Sequence, residues 1–351
     1  MIPLSRIVSP RNSRCFGSDF LRRCMSTMPA IRVNEFGPPS VLAFQEVRAL
    51  SAPGAGECVV RMHACGVNPV DTYIRSGAYG KLPVLPYTPG KDGAGVVEKL
   101  GPGACPNLAV GDRVYVYNCL SGSYAQYSLC NSAHVFPLPD SVSFAQGACL
   151  GTPAFTAYRA LFEKGRGRPG DWVFIHGASG GVGLMAIQLA TAAGMKVVGT
   201  ASTPEGLVAV LQAGAAAAYN HSQEGYLDEV KAFQPQGFDI CVEMLANRNL
   251  GVDLPLMASN GRVCTVGSRG PVEINPRDLM SKELEVHGVA LLQSTSNDLK
   301  RVSSFVNTCL LSGSISPVVS LELPLSEAAK AHVEVIERQN VKVGNIVLSW
   351  Q

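Results

Sequence analysis

The segment HGASGGVG, His176 to Gly183, combines residue types that can receive a phosphate. Glycines let a backbone come close to an anion, and a helix opening behind them adds N–H groups and the positive end of its dipole. The segment reads A-x-G-x-x-G, with Ala178 in the place of the first glycine of the dinucleotide fingerprint. Such a motif is weak alone, because a tight turn uses the same glycines. Its surroundings carry it: an apolar run, Asp171–His176, precedes it and a helical run, Val182–Ala193, follows. A site for NAD normally places Asp or Glu after the next strand, to bond the ribose 2′-hydroxyl. Here Thr200-Ala201-Ser202-Thr203-Pro204 offers no carboxylate before Glu205. Nothing there repels a 2′-phosphate and small hydroxyls can bond it, although no Lys or Arg stands in the segment. The expected cofactor is NADPH.

The elements around the turn fall into two patterns. From Ile31 to about Pro137, short β-rich runs such as Cys58–His63 and Asp112–Val116 alternate with Gly and Pro turns, which predicts a compact β-barrel-like domain. Ala145–Phe162 reads as helix with a break at Gly151-Thr152-Pro153. Then strands (Asp171–His176, Lys196–Thr200, Asp239–Glu243, Gly261–Val266) alternate with helices (Val182–Ala193, Glu205–Gln212), as in a parallel sheet with right-handed crossovers. The chain ends in a strand, Gly344–Leu348. The expected fold class is α/β: a barrel-like catalytic domain over 29–147 and 287–351, and a doubly wound Rossmann domain over 148–286.

Composition limits the alternatives. The 351 residues are 46% hydrophobic with net charge +2, suited to two globular cores. Residues 1–28 contain five arginines and one acid, leaving 24 basic against 26 acidic residues elsewhere. That balance gives the body little electrostatic reason to bind nucleic acid or a membrane surface. Eleven cysteines without a C-x-x-C pair read as reduced, mostly buried thiols. The charge-free stretch Gly177–Met195 is long enough for a bilayer but opens on a turn and carries Gln188 and Thr191, so a membrane span is rejected. The Arg- and Ser-rich start, residues 1–28, has the composition of a mitochondrial transit peptide; an unstructured extension of a cytoplasmic protein is the alternative. Folded chain is expected from about Ala30.

With these patterns in place, the chain resembles the zinc-free medium-chain dehydrogenase/reductases, and within them the zeta-crystallin-like NADPH:quinone oxidoreductases. The resemblance rests on HACGVNPVDTYIRSG (63–77), LPYTPG (85–90), FTAYRAL (155–161), HGASGGVGL (176–184), EMLAN (243–247), VGSR (266–269) and EINPRD (273–278), in collinear order. It implies a GroES-like catalytic domain beside the Rossmann domain. It also implies NADP contacts at Tyr73, at Ser179, Gly180, Gly181 and Val182, at Ser202 and His221, at Asn249, at Val266, Gly267, Ser268 and Arg269, and at Val289, Ala290 and Leu291. Two departures stand out: Ser202 replaces a glycine, and Asp71 replaces a glutamate. A homotetramer paired through sheet edges is a further implication.

Zinc-dependent members of this superfamily use a cysteine and a histidine where this chain has Asn68 and Lys91, and the four-cysteine lobe is missing. No metal is therefore expected, and the substrate must already be electrophilic. A quinone meets that condition, with ortho-quinones favoured and one-electron products as a variant that the resemblance implies. Asn68 and Tyr73 are the candidate hydrogen-bond donors to the developing oxyanion. Asp71 is expected to orient their loop or cap a helix, Arg75 to add positive potential, and His63 and His176 to be structural. Two other functions compete. One is reduction of activated alkenes or enoyl thioesters; the other is binding of AU-rich RNA, to which zeta-crystallins have been linked. Against RNA stand the body's charge and the lack of interleaved aromatic and basic residues.

Overall fold

In the computed structural model, residues 27–340 and 343–350 are described. The expected extension 1–28 lies outside them except for Thr27 and Met28, which open the strand Thr27–Arg32, three residues ahead of Ala30. This strand pairs antiparallel with Ala43–Arg48.

Six strands form the parallel sheet, in the spatial order Ala217–Asn220, Lys196–Ala201, Trp172–His176, Phe238–Glu243, Met257–Thr265, Glu285–Gly288. Numbered along the chain this is 3-2-1-4-5-6, so strand order reverses between Trp172–His176 and Phe238–Glu243. Ligands of such sheets bind outside the carboxyl ends of the strands at that reversal. The period of two is visible in packing. Val173 and Ile175 join Leu184 and Ile187 on one face, while Phe174 joins Val230, Phe238 and Leu250 on the other. Both faces are covered, which is why the strands read as continuous apolar runs. The charge-free stretch resolves into the glycine turn and the 12-residue helix Gly181–Ala192, buried from Gly183 to Ala190. No described helix is long and apolar enough to cross a membrane.

The front of the chain forms a seven-stranded sheet, mostly antiparallel, ordered Val319–Pro324, Asn345–Ser349, Glu57–Val67, Asp92–Leu100, Arg113–Tyr117, Val135–Pro137, with Tyr127–Asn131 also on Glu57–Val67. Its ends do not pair with each other among the described residues, so the expected barrel-like layer has open edges there. Its two C-terminal strands arrive from beyond the parallel sheet, so the chain leaves this layer and returns to it.

Between the sheets runs the helix Gly151–Tyr158, with six of its eight residues buried. Phe155 packs against Tyr115 and Phe136 with ring centroids at 6.2 and 5.3 Å. The sequence places a break at 151–153; the helix instead starts there, after the turn Phe144–Gly147, and continues into a π-helical turn, Arg159–Lys164. Pro153 falls in the first helical turn, where its missing N–H costs nothing. Gly151 is required because a Cβ would lie 2.5 Å from Asp92 Oδ1.

Candidate active site

The phosphate turn is built by local geometry. Trp172–His176 ends at Gly177, whose φ of +69° belongs to the left-handed region open to glycine. Ala178 N–H donates to Thr200 O at 2.7 Å, and Gly177 N–H to Thr200 Oγ1 at 3.0 Å, so the turn is fastened to the neighbouring strand. At Gly183 a Cβ would sit 2.4 Å from Ala178 O, so this glycine serves helix–strand packing. At Gly180 a Cβ would meet nothing nearer than Arg338 Nη2 at 3.5 Å. Space therefore remains above the turn at the N-terminus of Gly181–Ala192, where the first N–H groups have no intrahelical acceptors. A phosphate fits this cradle by shape and by charge.

A cation reaches the glycine turn from far along the chain, while the segment Thr200–Pro204 itself carries none. Gly344 N–H donates to Ser179 O at 2.8 Å, and Arg338 Nη1 donates to Gly344 O at 3.3 Å. The Arg338 guanidinium is thereby held beside the glycine turn. Ser202 is exposed just past Lys196–Ala201, followed by Thr203, which caps the next helix by accepting from Gly206 N–H at 3.1 Å.

Every expected cofactor residue of the Rossmann part follows the carboxyl end of a parallel strand. Ser179–Val182, Ser202, His221, Asn249, Val266–Arg269 and Val289–Leu291 come after the six strands in chain order. The sheet thus gathers onto one rim residues spread over more than a hundred positions.

Beneath that rim the two central strands end in His176 and Glu243, which are register partners. His176 Nδ1 lies 2.9 Å from Asp253 Oδ1 and 3.4 Å from Glu243 Oε2, and its Nε2 lies 3.1 Å from Tyr226 OH. Burial alone would depress the imidazole, but the two carboxylates prevail and raise it to about 9. Burial would raise Glu243, yet the neighbouring His176 imidazole and Asp253 carboxyl leave it lowered; Asp253 is raised, chiefly by burial. His176 is thus buried against two carboxylates and a phenol, which hold its basicity above that of a free imidazole. His63 stacks on Phe144 at 4.3 Å.

The opposite wall comes from the front sheet. Asn68 precedes the helix Pro69–Arg75, and its N–H donates to Asp71 Oδ2 at 3.0 Å. Its side-chain amide donates to Asp92 Oδ2 at 2.7 Å, leaving one further N–H to offer. Asp92 also accepts from Thr152 N–H at 2.7 Å and from Thr152 Oγ1 at 2.9 Å. Asp71 and Asp92 are both buried, and loss of hydration raises them to about 7 and about 6. Tyr73 is half-buried, and its hydroxyl lies 3.3 Å from Arg269 Nε, joining the front helix to the rim. Arg75, expected to add positive potential, is buried, and its Nε and Nη1 lack hydrogen-bond partners.

Asn68 and Lys91, the positions compared with zinc ligands, are occupied with other partners: Lys91 Nζ donates to Asn118 Oδ1 at 2.9 Å. Among the described residues the one group with metal-ligand proximity is His176, Glu243 and Asp253, their ligand atoms within 4.8 Å of one another. Among the described residues nine cysteines are free, eight of them buried.

A mostly antiparallel sheet joined to a 3-2-1-4-5-6 parallel sheet is the architecture of the medium-chain dehydrogenase/reductases. Residues 54–140 match the alcohol dehydrogenase GroES-like domain and residues 181–308 the zinc-binding dehydrogenase family. The mouse (Mus musculus) quinone oxidoreductase is 46% identical over 324 residues, covering 92% of this chain and 97% of its own. The chain belongs to the quinone oxidoreductase family. Among solved structures, a quinone oxidoreductase from Pseudomonas syringae is 30% identical with TM-score 0.82, over 92% of this chain and 99% of that one. A mycobacterial protein complexed with NADPH is 28% identical with TM-score 0.82 over the same shares.

Proposed function

We propose that the protein is an NADPH-dependent quinone reductase that works without a metal. The observation that carries this is the open space at Gly180, bounded by a helix N-terminus and the Arg338 guanidinium, at the reversal point of the parallel sheet. Its relatives named quinone oxidoreductase, and the NADPH complex of a structural neighbour, support the same reading.

In this reading Ser179, Gly180, Gly181 and Val182 hold the diphosphate, with Arg338 as counter-charge. Ser202 and His221 flank the adenosine side, where no carboxylate opposes a 2′-phosphate. Asn249, Val266–Arg269 and Val289–Leu291 line the other half. When bound, NADPH supplies the reducing equivalents. Tyr73 OH and the remaining Asn68 N–H then donate to a quinone oxygen as negative charge gathers on it. Asp71 and Asp92 hold that wall in place without touching substrate. The GroES-like layer supplies the substrate wall, and the parallel sheet, which runs through Glu285–Gly288 past the expected boundary at 286, supplies the nucleotide wall. Subunits are proposed to associate through the outer edge of Glu285–Gly288, where Val286 is exposed.

The test is a steady-state assay with NADPH or NADH against ortho-quinones, para-quinones and enals, with and without chelator. Turnover of ortho-quinones with NADPH, unchanged by chelator, is expected. Loss of turnover on chelation, or activity confined to enals, refutes the reading.

A further inference from the structure

The half-cleft near Asn249 rests on an arrangement that nothing above has used. Asn249 Nδ2 donates to Glu243 Oε1 at 3.0 Å, and Leu245 N–H donates to the same oxygen. An ionised carboxylate only accepts, whereas an amide carries a donor and an acceptor that can exchange places by flipping. The contact therefore decides which way Asn249 points: its NH2 is turned toward Glu243, and its oxygen is left for another donor. We propose that Glu243, gripped from behind by His176 and Asp253, is a positioning residue that fixes the Asn249 amide so that its oxygen accepts from the nicotinamide half of the bound dinucleotide. This rests on the NADPH reading above.

The grip is geometric. Glu243 Oε2 faces His176 Nδ1, which also meets Asp253 Oδ1, and all three residues are at most 3% exposed. Glu243 Oε2 and Asp253 Oδ2 are buried without hydrogen-bond partners. Titration of His176 is influenced from every side. Tyr226 reaches it from the helix Tyr226–Phe233, the His221 ring lies 5.9 Å away, and Cys241 shares a strand with Glu243. The Cys241 thiol is pushed far up by burial and the His221 imidazole is held low, so His176 is the member that loses its proton in the alkaline range.

Gln at position 243 keeps an oxygen for Leu245 and Asn249 but loses the negative charge that faces His176 Nδ1 at 3.4 Å, and with it the grip from behind. Asn249 follows the fourth parallel strand, on the far side of the reversal from Ser202, so its ligand group belongs to the nicotinamide half.

The experiment titrates NADPH and the fragment 2′,5′-ADP into wild type, Glu243→Gln and Asn249→Ala by fluorescence, from pH 6 to 10, with melting curves alongside. Wild type is expected to bind NADPH with an affinity that falls as pH rises through about 9. Both variants are expected to bind NADPH about tenfold more weakly at pH 7 and to lose that step, while 2′,5′-ADP binds as in wild type. Ser202→Ala serves as a control that keeps the step. Wild-type NADPH affinity in both variants, or equal weakening of 2′,5′-ADP, overturns the proposal while leaving the NADPH reading intact. If wild type binds neither ligand, the NADPH reading itself fails. Should Glu243→Gln melt before it can be titrated, Asn249→Ala decides by its pH profile: a retained step overturns the coupling.

Discussion

Asn68 and Thr152, 84 positions apart, donate to the same buried oxygen, Asp92 Oδ2, at 2.7 Å each. One carboxylate thus holds the start of the front helix against the start of the helix between the two sheets. Replacing it by alanine leaves three donors unpaired, one buried and two part-buried, and each costs about 1–3 kcal/mol. Asp92→Ala is expected to lose about 3–5 kcal/mol in denaturant unfolding. Asp92→Asn is expected to lose about 1, because the Thr152 hydroxyl can turn to accept from the new NH2. An alanine variant as stable as wild type would refute the role.

Asp71 gives a pH dependence of definite sign. Its folded value of about 7 lies above that of the unfolded chain, so the folded protein keeps a proton that the unfolded one releases. This contribution to stability is present at low pH and disappears as pH rises from about 4 to 7. Asparagine can still accept from Asn68 N–H. The melting temperature of Asp71→Asn relative to wild type should therefore climb across that window, and a constant difference would contradict it.

Tyr73→Phe removes a hydroxyl without changing the ring. A donor lost from a developing oxyanion costs about 2–4 kcal/mol where it acts alone. With Asn68 sharing the load, kcat/KM for an ortho-quinone is expected to fall about tenfold, with the NADPH dissociation constant nearly unchanged. A fall confined to NADPH binding would place Tyr73 on the cofactor alone.

Arg338→Ala is expected to raise KM for NADPH about tenfold, the worth of a charge-assisted phosphate contact, with kcat retained. Arg338→Lys restores charge but not the fork, so an intermediate value is expected. Unchanged KM in both variants would remove Arg338 from the phosphate cradle.

Local chemistry explains what could be read in advance. The glycine elbow, the strands beside it and the helix Gly181–Ala192 are written in contiguous residues, and their boundaries come within a residue or two. The edge strands Ala217–Asn220 and Glu285–Gly288 were not readable: the first is alanine-rich, the second polar, and each is a strand only because a neighbour pairs with it. Arg338, Asp253 and the partners of Asp92 are long-range additions to the site. Gly151 was the one available sign of Asp92, since a glycine opening a helix implies something pressed against it. Asn68 was legible as a polar residue at the cleft, but not that Asp92 takes one of its two donors.

The bond from Gly344 to Ser179 makes the tail of the chain a rivet. The same few residues close the phosphate turn and, one step later, enter the front sheet beside Glu57–Val67. A chimera that swaps the nucleotide-binding half between relatives must carry this tail with it, or the graft will arrive with its anion cradle unlatched.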